Sequence, residues 1–223
     1  MNRSQEMYPI DLSQMEDWVR SRAAAGSRVL EIGCGDAALV RRLADEYVVV
    51  GVDPHADPSP NVYAMPFEEL DAEPFDVVFA SVSLHHLASL DAAVVALRRL
   101  THPGTMMLVR EFDWLLNDHE PTLHWWYEHR RHQDPHQHSG DRPLAATFEE
   151  FVPDWRGWMT HHVSPWSSVL AMLGNAGFET ISDMPSPYLF RWGLGDEFRA
   201  EEERLAAEGV INLIGHHWTG RRT

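Results

Sequence analysis

Apolar and polar positions along the chain fall into two alternating rhythms. Short, nearly continuous apolar runs at residues 28–33 (RVLEIG), 47–53 (YVVVGVD), 75–83 (FDVVFASVS) and 105–112 (TMMLVREF) read as buried strands, with a shorter one around 61–65. Between them, apolar residues recur every three or four positions at 11–24, 37–46 and 89–100, which predicts amphipathic helices. Asp11 is the expected N-cap of the first helix and Gly26 its breaker; Pro103-Gly104 stops the third. Strands alternating with helices predict an α/β fold on a parallel sheet, and strands apolar on both faces predict a sheet covered on both sides. The alternation pauses over 114–164. It resumes with a helix at 165–177 and a strand at 178–184, and an acidic helix at 195–209 precedes the final stretch VINLIGHHWTG.

Bulk properties narrow the class. The 223 residues suit one domain with an insertion, 1–223 as a whole, and 44% hydrophobic content suits a globular chain. No apolar run approaches the ~20 residues that span a bilayer. The N-terminus, MNRSQEMYPIDL, lacks a basic-then-apolar leader pattern. A single cysteine, Cys34, rules out an internal disulfide framework and makes the cytoplasm the expected compartment. Acidic residues outnumber Lys plus Arg by 34 to 18, a net charge of −16, which weighs against a nucleic-acid substrate.

The chemistry concentrates where the first strand meets the second helix. Gly33 and Gly35 let the backbone turn sharply and approach a ligand closely. Asp53 ends the next strand, where an acid accepts hydrogen bonds from ribose hydroxyls; glycine loop and acid together imply an adenosine-containing cofactor. An empty tight turn is the plainer alternative. GCGDAA also fits a loose dinucleotide pattern. A pyrophosphate at a helix N-terminus is ill served by the neighbouring acids Glu31 and Asp36, which suit a ligand bearing cationic groups.

LEIGCG, VVVGVDP, FDVVFASVSLHHL and RRLTHPGTMMLV, in that order over residues 28–112, resemble the class I S-adenosylmethionine-dependent methyltransferases, and GNAGFETI is similar to a helix-to-strand step found later in that family. The resemblance implies a Rossmann-like, doubly wound, mostly parallel seven-stranded sheet with helices on both faces. It implies S-adenosylmethionine as cofactor. Gly33, Cys34 and Gly35 would lie under its methionine and ribose, Glu31 would face the methionine end, and Asp53 would take the ribose hydroxyls. The adenine would lie near Pro54 and residues 65–68, with Phe67 as an apolar wall and Glu68 as the candidate partner of the amino group. A solvated helix-start role suits Glu68 equally, and Asn61 offers no clean equivalent. Ala80 and Ser81 would border the methyl. Ala37 stands where the family usually has a third glycine, and PGT replaces PGG.

The sequence also bears on the reaction. FASVS carries neither the Asn/Asp-Pro-Pro-Tyr of amino-methylating nucleic-acid enzymes nor the acids that hold Mg²⁺ in catechol-type enzymes. This predicts metal-independent, in-line methyl transfer to a small-molecule acceptor. His85 and His86 are the candidate general bases, with His119 and His124 in reserve; the plainer reading is that LHHL shapes a turn. The 114–164 stretch is the expected acceptor-binding lid. Six of nine Trp lie within 114–166 and eight of fourteen His within 119–162, and these tryptophans either wall a flat, aromatic acceptor or pack the lid. Glu128, His129 and His132 share a helix face with metal-ligand spacing, but the two Arg of EHRRH favour a solvated face. The alternatives are a protein methyltransferase, a non-catalytic cofactor-binding scaffold and a nicotinamide oxidoreductase.

Overall fold

The computed structural model describes residues 12–132 and 144–223. The expected cap Asp11 and residues 133–143 of the His-rich stretch lie outside the described residues. In chain order the elements are α1 (Leu12–Arg20), β1 (Arg28–Ile32), α2 (Ala38–Leu43), β2 (Val48–Val52), β3 (Val62–Tyr63), β4 (Phe75–Ser81), α3 (Leu90–Leu100), β5 (Thr101–Phe112), α4 (Trp114–Asn117), α5 (Glu120–His132), α6 (Phe148–His162), α7 (Trp166–Asn175), β6 (Phe178–Ser186), α8 (Arg199–Ala207) and β7 (Gly215–Arg222). Short 3-10 turns at Phe67–Glu69, Leu84–His86, Leu189–Arg191 and Asp196–Phe198 join them.

The strands form one seven-stranded sheet in the order β3-β2-β1-β4-β5-β7-β6. β1 pairs in parallel with β2 and β4, so Leu30 stands between Val50 and Val78, and β5 pairs in parallel with β4. The winding reverses between β1 and β4, which opens a crevice at their carboxyl ends. β6 and β7 run antiparallel: Thr223 N–H reaches the Gly177 carbonyl at one end, Trp218 Nε1–H donates to Thr180 Oγ1, and Gly215 packs on Ser186 at the other. The expected mostly parallel, doubly wound sheet is therefore the observed one.

The chain divides into two compact units. The first holds residues 10–111, 166–184 and 217–223. Side-chain alternation along β4 sends Val77 and Phe79 to one face of the sheet and Val78 and Ala80 to the other. Met15 and Val19 of α1 and Leu39, Val40 and Leu43 of α2 cover the first face. Ala93, Ala96, Leu97 and Leu100 of α3, with Trp166, Val169, Met172 and Leu173 of α7, cover the second. A fully buried side chain such as Phe79 contributes about 1.5–3 kcal/mol. Ser89 caps α3 by accepting the Ala92 N–H, as its place before the periodic run implies.

Several boundaries differ from the sequence reading, two of them informatively. α1 stops at Arg20, short of Gly26. β5 begins at Thr101, ahead of Pro103-Gly104 instead of after it. Thr101 already pairs with Phe75, whereas Val77 pairs with Met106, so the Pro-Gly pair sits inside the strand as an irregularity. Thr105 closes it, its hydroxyl accepting the His102 N–H and donating to the Phe75 carbonyl.

The second unit is helical and includes 112–165 together with 185–216. Tyr127 stacks on Phe151 at 5.1 Å, Trp114 Nε1–H donates to the Val163 carbonyl, and Trp126 Nε1–H to that of Trp192. Trp114, Trp126 and Trp155 are buried here. Glu202 of α8 is also buried and accepts the N–H groups of Tyr188, Leu189 and Phe190. Among the described residues no helix is long and apolar enough to cross a membrane.

Candidate active site

The site residues of the sheet-bearing unit gather at the carboxyl ends of β1, β2, β4 and β5. Glu31 lies on β1 between Gly51 and Phe79, is buried, and its Oε2 has no hydrogen-bond partner among the described residues. Burial above all, then the charges of Asp36 and Asp53, pushes its carboxyl up to about 8, only partly offset by a backbone hydrogen bond from Val40. The chain turns at Gly33, with φ +74°, and a Cβ there would stand 2.3 Å from Ser83 Cβ. Glycine is required twice over, by conformation and by the close approach of the loop after β4. Gly35 (φ +51°) faces open space, and Ala37 adopts φ +58° without a glycine's freedom.

Cys34 points inward. Its sulfur lies where a Cβ on Gly51 would come within 2.9 Å, and burial pushes its thiol up to about 12. The residue offers a ligand its backbone, and its side chain belongs to the core. Asp53, half-buried after β2, is already engaged: Oδ2 accepts the Gly35 N–H (3.1 Å) and Oδ1 the His55 N–H (2.7 Å). It ties the glycine loop to the end of β2, and each oxygen retains a further lone pair.

Pro54 is exposed. Phe67 opens the 3-10 turn after β3, buried in the larger apolar cluster, and Glu68 is half-buried with its carbonyl accepting from Arg99 Nη2 (3.0 Å). Ala80 is fully buried, and Ser81 Oγ is buried without a hydrogen-bond partner among the described residues. Val82 follows with φ +52°, a conformation that a β-branched residue adopts at a cost of about 1–3 kcal/mol and that clusters at functional sites.

The 3-10 turn Leu84–His86 carries the two candidate bases. His85 is buried and His86 exposed, with ring centroids 4.0 Å apart. Glu111, buried at the end of β5, organises this turn. Its Oε1 accepts the N–H groups of Ser83 (2.9 Å), Leu84 (2.7 Å) and His85 (3.4 Å), and its Oε2 lies 2.7 Å from His85 Nδ1. Sequence reasoning missed both Glu111 and Val82. An acid ending the apolar run TMMLVREF repeats the Glu31 pattern and could have been flagged; nothing in the sequence marks a left-handed valine.

The remaining candidates belong to the helical unit. His119 Nδ1 lies 3.2 Å from Thr122 Oγ1, and exposed His124 packs edge-on against Phe148. Glu128 lies 3.9 Å from His124, 3.8 Å from His132 and 3.4 Å from Arg131, a solvated helix face. His129 instead bonds the Trp125 carbonyl. Among the described residues no three His, Cys, Asp or Glu side chains group as metal ligands would.

Sheet order, reversal point and glycine loop define a class I methyltransferase fold. Solved structures share it: the N-methyltransferase NodS of Bradyrhizobium japonicum, in complex with S-adenosyl-L-homocysteine, is 13% identical with TM-score 0.57, covering 100% of this chain and 93% of that one. The 1,6-didemethyltoxoflavin-N1-methyltransferase of Burkholderia thailandensis is 18% identical with TM-score 0.52, covering 98% and 79%. The [4+2]-cyclase SpnF is 16% identical with TM-score 0.52, covering 94% and 80%, so this fold also hosts other chemistry. No curated protein matches the chain. Residues 11–151, well over half of the chain, match the family described as a methyltransferase domain. The chain belongs to that family and is an S-adenosylmethionine-dependent methyltransferase.

Proposed function

We propose that this enzyme transfers a methyl group from S-adenosylmethionine to a small-molecule acceptor, in line and without a metal. The observation that carries the cofactor site is the unpartnered carboxylate oxygen of Glu31, buried beside a glycine loop where a side chain at Gly33 would collide with Ser83. A buried carboxylate with one oxygen unsatisfied is costly unless a cation or donor completes it, and the ammonium of the methionine moiety is such a group. The residues therefore fit the cofactor. Glu31 would receive its amino end, Gly33, Cys34 and Gly35 would line its methionine and ribose with backbone, and Asp53 would accept from the ribose hydroxyls. Pro54, Phe67 and Glu68 would border the adenine. When bound, the sulfonium supplies a methyl carbon whose bond to sulfur breaks, the electron pair staying on sulfur, as the acceptor's lone pair forms the new bond. Ala80 and Ser81 would border that centre and offer no carboxylate for a divalent cation. His85 or His86 would take the proton leaving an acceptor O–H or N–H. The small-molecule reading draws support from a neighbour such as the 1,6-didemethyltoxoflavin-N1-methyltransferase, whose structure holds 1,6-didemethyltoxoflavin with S-adenosylhomocysteine. The 114–164 segment, as part of the helical unit, is the proposed source of acceptor selectivity.

Calorimetry with S-adenosylhomocysteine tests the cofactor site. Asp53→Ala removes charge-assisted bonds of roughly 1.5–3 kcal/mol each and the tether to Gly35, so affinity is expected to fall at least tenfold. Equal affinity would take Asp53 out of the site. Transfer of labelled methyl to amines, phenols and heterocycles, against basic peptides and with a chelator present, tests the acceptor. Transfer to peptides alone, or activity lost on chelation and restored by Mg²⁺, would refute the reading.

A further inference from the structure

Three neighbouring strands end alike on one face of the sheet. Val29 of β1, Phe79 of β4 and Leu108 of β5 lie in the apolar cluster beneath α1 and α2. Two positions further along each strand, and so on the same face, stand Glu31, Ser81 and Arg110. The register sets them side by side: Phe79 pairs with both Glu31 and Leu108, and Ser81 pairs with Arg110. The covering helices reach the two outer members. Glu31 accepts a backbone hydrogen bond from Val40 of α2, and Arg110 Nη2 donates to Gln14 Oε1 of α1 at 3.0 Å. Packing alone would continue the apolar series. Instead the row reads acid, hydroxyl, guanidinium, and Glu31 Oε2 and Ser81 Oγ have no hydrogen-bond partner among the described residues. Strand spacing and rise put about 12 Å between the backbones of Glu31 and Arg110, a gap that both side chains and one small zwitterionic group would fill.

An α-amino-acid group carries an ammonium and a carboxylate on one carbon. Glu31 answers the ammonium. The carboxylate would enter where Asp36 and Asp53 already act electrostatically on Glu31, and acids repel it unless a cation stands close. From this we infer that Ser81 and Arg110 complete with Glu31 a clamp for the amino-acid end of the cofactor, the Ser81 hydroxyl donating to the carboxylate and the Arg110 charge balancing it. The inference rests on the reading of this crevice as the cofactor site. An arginine is always protonated, so what is asked of Arg110 is its charge, whichever bonds its N–H groups make. Ser81 keeps its backbone beside the methyl and turns its side chain towards α1. The clamp makes a complete amino-acid end the feature by which the enzyme selects its nucleoside.

Calorimetry with two ligands tests this: S-adenosylhomocysteine, and its decarboxylated form, which keeps the ammonium and loses the carboxylate. The wild type is expected to bind the first at least tenfold more tightly. Arg110→Met is expected to lose about tenfold or more for S-adenosylhomocysteine and little for the decarboxylated ligand, so that the preference collapses; Arg110→Lys, which keeps the charge, is expected to recover part of it. Ser81→Ala is expected to lose severalfold for S-adenosylhomocysteine alone. Equal wild-type affinity for the two ligands would overturn the inference, and that measurement needs no variant to fold. So would an R110M protein that keeps the preference, or one that weakens for both ligands alike, since Arg110 would then serve the fold. If R110M does not fold, Ser81→Ala decides, and an unchanged preference there overturns the clamp. A wild type that binds neither ligand would refute the cofactor reading itself, and the clamp with it.

Discussion

Replacing Glu31 by glutamine tests the electrostatics of the site without an acceptor. The carboxyl ionises near 4.5 in an unfolded chain and at about 8 in the fold, chiefly through burial. A folded value above the unfolded one makes the carboxylate a burden that is absent below 4.5, grows as the unfolded chain ionises first, and is complete above 8. At ~1.4 kcal/mol per pH unit, the burden is about 1 kcal/mol at pH 5, about 3 at pH 7 and about 5 at pH 9. Glu31→Gln buries an amide in the same place but no charge, so it is expected to match the wild type near pH 5 and to exceed it by several kcal/mol at pH 9. Urea unfolding at the three pH values measures the difference, and its pH slope is the informative quantity because any packing change is common to all three. Saturating S-adenosylhomocysteine, through its ammonium group, should flatten the wild-type slope and leave that of the variant alone. Parallel stability curves for the two proteins would show that Glu31 is solvated or already paired, and would remove the cationic-ligand argument with it.

Two further outcomes follow from the glycine loop. Gly33→Ala meets Ser83 Cβ at 2.3 Å in a left-handed conformation and should cost about 2 kcal/mol or more in urea unfolding, whereas Gly35→Ala, facing open space, should cost about 1–2; equal costs would refute the close approach. Cys34, with its thiol pushed up to about 12, should resist iodoacetamide at pH 8 in the native protein and react on unfolding, and native reactivity like that of a free thiol would contradict its burial.

The sheet was readable because its strands are buried on both faces and so stand out as uninterrupted apolar runs between periodic helices. Boundaries were harder where a local rule competed with a distant partner. Pro103-Gly104 looks like a terminator, yet Thr101 is held in the sheet by Phe75, 26 positions away along the chain. The helical unit shows the same limit. The run 114–164 announced itself by composition, but nothing local joins it to 185–216; the joining contacts, Trp126 to Trp192 and Thr122 to Asn212, are visible only in three dimensions. Within the site, Glu31, Gly33 and Asp53 were marked by acids and glycines at strand ends. Phe67 and Cys34 drew notice by position, and both side chains are buried in the apolar clusters of the sheet-bearing unit. Glu111 escaped because its partners are backbone N–H groups of a turn remote in sequence.

Glu202 acts in the same direction as Glu31. It is buried, and burial raises its carboxyl despite three backbone N–H donors. Acid usually unfolds proteins because their buried carboxylates resist protonation. Here two buried carboxylates favour it, so the fold gains from mild acidity at these positions. The chain's net charge also vanishes there, at a pI of about 5.2. The pH range in which these two carboxyls burden the fold least is thus the one in which molecules repel one another least. Near pH 5 this protein should therefore come out of solution as a precipitate that redissolves, and at pH 8 it should stay dispersed, with Glu31 and Glu202 then weighing against the fold.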